Sequence, residues 1–389
     1  MVKDLLRNAP SEWQLLLACC SPTCGAARAR QLRATPLSRV DWARLLELGE
    51  DHGATPLLAR CLDAAFGDQL PSASREHLQE RRRSHLLVVL SLTAELFRIV
   101  EMFEREGVEF AVFKGPALAV QAFGDAALRE YADLDLFLGH RDVLRACKLL
   151  LASGFQARLP LDRAEAGQVP GQFLFTRTGS AAIVELHTER TLRYIPRPLP
   201  VEALLARRTK VALDGREVPA FSREDSLVLI AIHGSKHFWE RLMWIADVAA
   251  LASSEPGPDA ATTLRLAREL GATRMLRLGL CLAHDLLQAS LPEDFAREAM
   301  SDRAARSMAG SVARRLLAGA QSERNVFERA WFRARMRGSL LGSLPYVLRL
   351  TLAPTEDDWG AAKESGRSRI FSLVRRPLRL LRKYGVERH

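Results

Sequence analysis

Val112-Phe113-Lys114-Gly115-Pro116 and, further on, Arg129-Glu130-Tyr131-Ala132-Asp133-Leu134-Asp135-Leu136-Phe137 decide how this chain is read. The first stretch leads from an apolar strand through a Lys-Gly turn into a helix start, with proline near the position where its missing N–H matters least. The second is another apolar strand, and it carries two aspartates. Side chains two residues apart on a strand share a face, so Asp133 and Asp135 point the same way. Two like charges on an apolar strand call for a cation between them. A helix start behind Lys-Gly is a ready anion site, because its free N–H groups and the helix dipole favour negative charge. Together these features read as a site for a metal and a phosphate chain.

A third acid lies downstream. Ala182-Ile183-Val184-Glu185-Leu186-His187 reads as a strand with Glu185 in its middle, where an acid needs a reason to be, and His187 shares its face. Chemistry on a nucleoside triphosphate needs carboxylates to hold a hard cation such as Mg²⁺, donors to cradle the phosphates, and a group to activate the attacking hydroxyl. Asp133 and Asp135 suit the first task. Lys114, Gly115 and the helix start suit the second, and Glu185 the third. The bland readings stand beside these. The aspartates can be turn or capping acids, Lys114 a solvated strand end, and His187 a core histidine or one that braces a ligand. Arg129 can reach a phosphate, brace the aspartates or pair with Asp133.

Around this centre the pattern changes period. Residues 1–107 read as helical: a short helix from Ser11, with Ser11 as its cap, another over 40–48 capped by Asp41, and a long run over 74–106 closed by Gly107. Residues 108–222 form the core. Its strands are expected at 108–113, 134–138, 172–176 and 182–187, and its helices at 116–123 and 141–153. Pro196, Pro198 and Pro200 mark a loop, and a hairpin over 211–218 turns at Asp214-Gly215. Residues 223–350 return to helix, with Ser222 as a cap and Glu255-Pro-Gly-Pro258 as a break. Residues 351–389 are a basic tail. The expected class is α+β with an α/β core: a small mixed sheet flanked by helices, an N-terminal helical arm and a C-terminal helical domain.

The chain has 389 residues and a formal charge of +10, with a pI near 9.7. Much of the excess sits at Arg367, Arg369, Arg375, Arg376, Arg379, Arg382 and Lys383, a tail that can touch an anionic surface. A charge-driven nucleic-acid binder would need aromatic-interleaved basic strands or a recognition helix, and neither is legible, so no specific nucleic-acid binding is expected. No apolar run is long enough to span a membrane. The charged first residues do not resemble a signal peptide, and the six cysteines form no paired framework, so reduced thiols and a cytoplasmic setting are expected. His233 and His237 lie four apart on a helix, but position 234 is Gly, which removes the zinc-protease motif. Lys236 and Arg241 can approach a triphosphate or base from the helical domain. Trp239, Trp244 and Asp247 read as core packing and a buried polar anchor.

The segment from Phe113-Lys-Gly-Pro116 to Arg129-Glu-Tyr-Ala-Asp-Leu-Asp-Leu136, with Val184-Glu-Leu-His187 after it, resembles the uncharacterised bacterial nucleotidyltransferase family within the polymerase-beta-like nucleotidyltransferase superfamily. The resemblance extends to His233-Gly-Ser-Lys-His-Phe-Trp-Glu-Arg-Leu-Met-Trp-Ile-Ala-Asp247 and Arg375-Arg-Pro-Leu-Arg379. It implies transfer of a nucleoside monophosphate from an NTP to an acceptor hydroxyl on a small molecule, sugar or protein, with pyrophosphate leaving. Asp133, Asp135 and Glu185 would be catalytic residues and ligands of Mg²⁺, with Mn²⁺ as the alternative. Lys114, Gly115, Arg129 and Lys236 would bind the nucleotide, with His187 and Arg241 behind them. Two departures stand out. Pro116 occupies the place of a second phosphate-donating Gly or Ser and has no N–H, and the third acid is Glu rather than Asp. The competing reading is a catalytically silent nucleotide-binding or scaffold protein on the same fold.

Overall fold

A computed structural model of the chain describes residues 2–22, 30, 32–33, 36–158, 161, 171–179, 182–188, 199–319 and 326–337. The expected basic tail, Pro196, Pro198 and Cys24 lie outside the described residues. The helices are α1 (Val2–Arg7), α2 (Ser11–Cys19), α3 (Trp42–Asp51), α4 (Thr55–Phe66) and α5 (Ser72–Arg105) before the first strand. The core follows as β1 (Phe110–Phe113), α6 (Gly115–Phe123), β2 (Asp133–Leu138), α7 (Val143–Ala152), β3 (Gln156–Ala157), β4 (Gln172–Thr176), β5 (Ile183–His187), α8 (Val201–Ala206), β6 (Thr209–Leu213) and β7 (Arg216–Ala220). Helices α9 (Arg223–Lys236), α10 (Leu242–Ala252), α11 (Ala260–Glu269), α12 (Thr273–Leu287), α13 (Glu293–Ser301), α14 (Arg303–Ala318) and α15 (Val326–Met336) complete it.

The strands make one mixed sheet in the order β3-β4-β5-β2-β1-β7-β6. β1 and β2 are antiparallel, while β2 runs parallel to β5 and β1 to β7. The alternation in β2 assigns its two faces. Leu134, Leu136 and Leu138 point into an apolar cluster with Val184 and Leu186 of β5, Leu96, Ile99 and Phe103 of α5, and Cys147 and Leu150 of α7. Phe137 points the other way, into a cluster shared with the helices on both sides of the core in sequence. Asp133 and Asp135 stand on that second face by the period of two.

The ends of elements follow local chemistry. Asp41 accepts from the Arg44 N–H and caps α3, and Ser222 accepts from the Asp225 N–H and caps α9, both as expected. The cap of α2 is Pro10, not Ser11; the serine is already the first helical residue. β1 begins at Phe110 rather than 108 because the Val108 N–H closes the preceding helix on the Phe103 carbonyl at 2.8 Å, with Gly107 at φ 65°. The hairpin turn is where expected, with Asp214 at φ 46° and Gly215 at φ 79°. Helices α4 and α8 and the two-residue β3 were not expected from the pattern. No helix among the described residues is long and apolar enough to cross a membrane, and the five described cysteines are buried free thiols.

Candidate active site

The site begins with the step from β1 to α6. Lys114 holds φ 60° and ψ −146°, a conformation natural to glycine, and Gly115 follows at φ 49°. A Cβ on Gly115 would lie 3.5 Å from the Asp133 carbonyl, so the positive φ is the stronger demand for glycine there. This kink sends the chain into α6 and returns the lysine side chain over the sheet. Its Nζ donates to Asp135 Oδ2 at 3.2 Å and lies 5.1 Å from the centre of the Phe113 ring.

Sheet register brings the acids together. Asp135 is opposite Phe113 on one side and Glu185 on the other, and His187 is opposite Phe137. His187 Nε2 lies 2.5 Å from Asp135 Oδ1 and 3.5 Å from Glu185 Oε2. Its ring stacks on Phe137 at 5.0 Å and 22°. Gln172, which opens β4, donates through Nε2 to Glu185 Oε2 at 2.5 Å. Lys114, Asp135, His187 and Glu185 thus form one connected group. Asp133 flanks it two residues along β2, half-buried.

Burial shapes the two aspartates differently. Burial alone would raise Asp135, but Lys114 and His187 reverse it and hold this carboxyl well below the usual range. Asp133 is pushed up, first by burial and then by the charge of Asp135. One aspartate is therefore a firmly ionised buried anion, and its neighbour ionises more readily once a cation arrives. Asp135, Glu185 and His187 each place a ligand atom within 4.8 Å of the others. Two carboxylates and an imidazole at such spacing fit a divalent cation.

The other expected binding residues lie around this group. Arg129 is buried, and its Nε donates to both Asp247 oxygens at 3.0 and 3.1 Å, so its ion pair is with α10 and not with Asp133. The turn before β2 packs toward α10, which places Asp247 in reach. Lys236 ends α9 beside His237, and its charge helps lower that imidazole, which burial chiefly brings down to about 4. Arg241 is exposed just ahead of α10, and its charge acts on His52, Glu130 and His237. The rings of His233, His237 and Trp244 cluster with centroids 4.7 to 5.3 Å apart. His233 is driven far down by burial, then by the charge of Lys114. Gln172 and the ring cluster escaped the sequence reading. The partner of Gln172 is on the neighbouring strand and Trp244 joins the two histidines from α10, and an amide at a strand start has no charge to flag it.

A family model described as "Uncharacterised nucleotidyltransferase" matches residues 38–288, well over half of the chain. The chain belongs to this nucleotidyltransferase family. Among solved structures, the chain is similar to the lincomycin-bound lincosamide antibiotic adenylyltransferase LnuA. The two are 17% identical over 35% of this chain and 83% of that one, with a TM-score of 0.26. It is also similar to an antigenic nucleotidyltransferase-like protein from Paracoccidioides brasiliensis, 17% identical over 52% of this chain and 94% of that one, with a TM-score of 0.32. No curated protein matches the chain.

Proposed function

We propose that this chain moves a nucleoside monophosphate from an NTP to an acceptor hydroxyl, releasing pyrophosphate. The core over 108–222 carries the chemistry, and helices α9 and α10 supply the helical side of the nucleotide site. The observation that carries this reading is Asp135: a fully buried carboxylate, one oxygen on a lysine from a kinked strand–helix turn, in register with Glu185 on the next strand.

A divalent cation, Mg²⁺ or Mn²⁺, would supply charge neutralisation at the triphosphate when bound. Asp133, Asp135 and Glu185 are the residues to hold it. Lys114 gives a point charge to the phosphates, and the Gly115 and Ala117 N–H groups at the start of α6 add donors, while Pro116 between them adds none. Glu185 accepts the proton of the attacking hydroxyl, with its carboxylate oriented by Gln172. Lys236 and Arg241 add positive charge from the helical side. Arg129 acts at one remove, by fixing the entry to β2 on Asp247.

Calorimetry with each NTP, with and without Mg²⁺, tests the reading. Binding is expected to depend on metal and to vanish in the double variant Asp133→Asn/Asp135→Asn. Unchanged binding in that variant overturns the site. Pyrophosphate release with a panel of hydroxyl acceptors then separates an enzyme from a nucleotide-binding scaffold.

A further inference from the structure

His187 is placed to do more than brace the acids. Its Nε2 faces two carboxylates at once, Asp135 Oδ1 at 2.5 Å and Glu185 Oε2 at 3.5 Å. These donors come from two neighbouring strands and converge by register: Asp135 is opposite Glu185, and His187 shares the face of Glu185 two residues on. The ring plane is set by stacking on Phe137. Its other nitrogen, Nδ1, is buried with no hydrogen-bond partner among the described residues. The imidazole's polar contacts among the described residues are with the two acids. The group of mutually close ligand atoms among the described residues is Asp135, Glu185 and His187, without Asp133.

An oxygen-only site suits Mg²⁺, whereas an imidazole nitrogen shifts preference toward first-row transition ions. We propose that His187 is a direct ligand in a mixed site with Asp135 and Glu185, and that this deep position takes a first-row transition divalent ion in preference to Mg²⁺. Asp133, at the start of the strand and outside the group, is left for an ion that arrives with the triphosphate. The proposal rests on the nucleotidyl-transfer reading for its purpose, but not for its test.

Mn²⁺ is the probe, because it binds such sites and reports its ligands by pulsed electron paramagnetic resonance. The full chain loaded with Mn²⁺ is expected to show nitrogen coupling that changes from the ¹⁴N to the ¹⁵N pattern when histidine is isotopically labelled. His187→Asn is expected to lose that coupling, while His237→Asn keeps it. Mg²⁺ competition should need a large excess in the unaltered chain, and the preference for Mn²⁺ should fall roughly tenfold or more in His187→Asn. Bound Mn²⁺ without nitrogen coupling, or failure of the unaltered chain to bind Mn²⁺, overturns the proposal, and neither result needs a variant to fold. NTP calorimetry in Mg²⁺ separates the two readings. Nucleotide binding without nitrogen coupling leaves the nucleotidyltransferase reading standing and removes this one. Nitrogen coupling without nucleotide binding does the reverse.

Discussion

Lys114 carries two demands at one residue. Its backbone sits at φ 60° and ψ −146°, where a side chain is strained, and its ammonium is the cation on a buried carboxylate. Such strain persists only where the surroundings fix it, and here β1, α6 and the Asp135 pair all do. Lys114→Ala and Lys114→Gly both remove the charge, so their difference isolates the backbone. Glycine is expected to be the more stable of the two by about 1–3 kcal/mol in urea unfolding, the reverse of the usual order, with nucleotide binding lost in both. Equal stability would show that the kink relaxes without the lysine. The acids at this scale were legible because charge on an apolar strand is conspicuous: Asp133, Asp135 and Glu185 all announce themselves. The strain at Lys114 was not, since Lys-Gly reads as a turn in which glycine does the bending. Nor was the Gln172–Glu185 bond, which depends on which strand lies beside β5.

Between elements, the buried Arg129–Asp247 pair ties the core to the helical side. Arg129 precedes β2, Asp247 is mid-way along α10, and both are almost wholly buried. Burial raises the Asp247 carboxyl despite the arginine, so the pair is held by mutual need rather than by surplus stabilisation. Arg129→Met is expected to cost about 3–5 kcal/mol, because it strands a carboxylate in the interior. Arg129→Met/Asp247→Leu should recover most of that loss, since neither charge remains. A double variant no better than the single one would count against the pair and point to packing. Next to this tie, Trp239 fills a slot against Gly234, where a Cβ would come within 2.5–2.8 Å of its ring, and Gly279, where it would come within 3.0 Å. The sequence reading had Asp247 as a buried anchor and Trp239 as core, both from their apolar surroundings. For Arg129 the expected partners are a phosphate, the aspartates or Asp133, and not Asp247, because helical periodicity identifies the buried face of α10 without saying what lies across from it.

Across the whole molecule, the N-terminal helices do not stand apart from the C-terminal ones. Leu15, Leu45 and Leu58 share one apolar cluster with Leu227, Ile245 and Leu276, while the far half of α5 belongs to the other cluster beneath the sheet. α5, about 50 Å long at 1.5 Å per residue, therefore spans both, and its middle exposes Leu87 and Leu90. The sequence marks this shared core as helical but resolves neither α4 nor the pairing, which joins residues far apart in the chain. His52 sits at that junction. Its carbonyl accepts from the Met243 N–H of α10 at 3.2 Å, and its ring lies 5.0 Å from Trp13. Burial first, opposed by Asp51 and aided by Arg241 and Arg44, lowers its pKa from 6.5 to about 4. The folded state thus holds this imidazole neutral where the unfolded chain would protonate it. Stability from this residue is complete above pH 6.5 and falls as pH drops toward 4, because the unfolded chain binds the extra proton. By pH 5 the loss is about 2 kcal/mol from this group alone. His52→Leu should flatten that acid limb by close to one proton, read as a smaller drop in urea midpoint between pH 7 and pH 5. An unchanged slope would mean that the junction opens to water well before the protein unfolds.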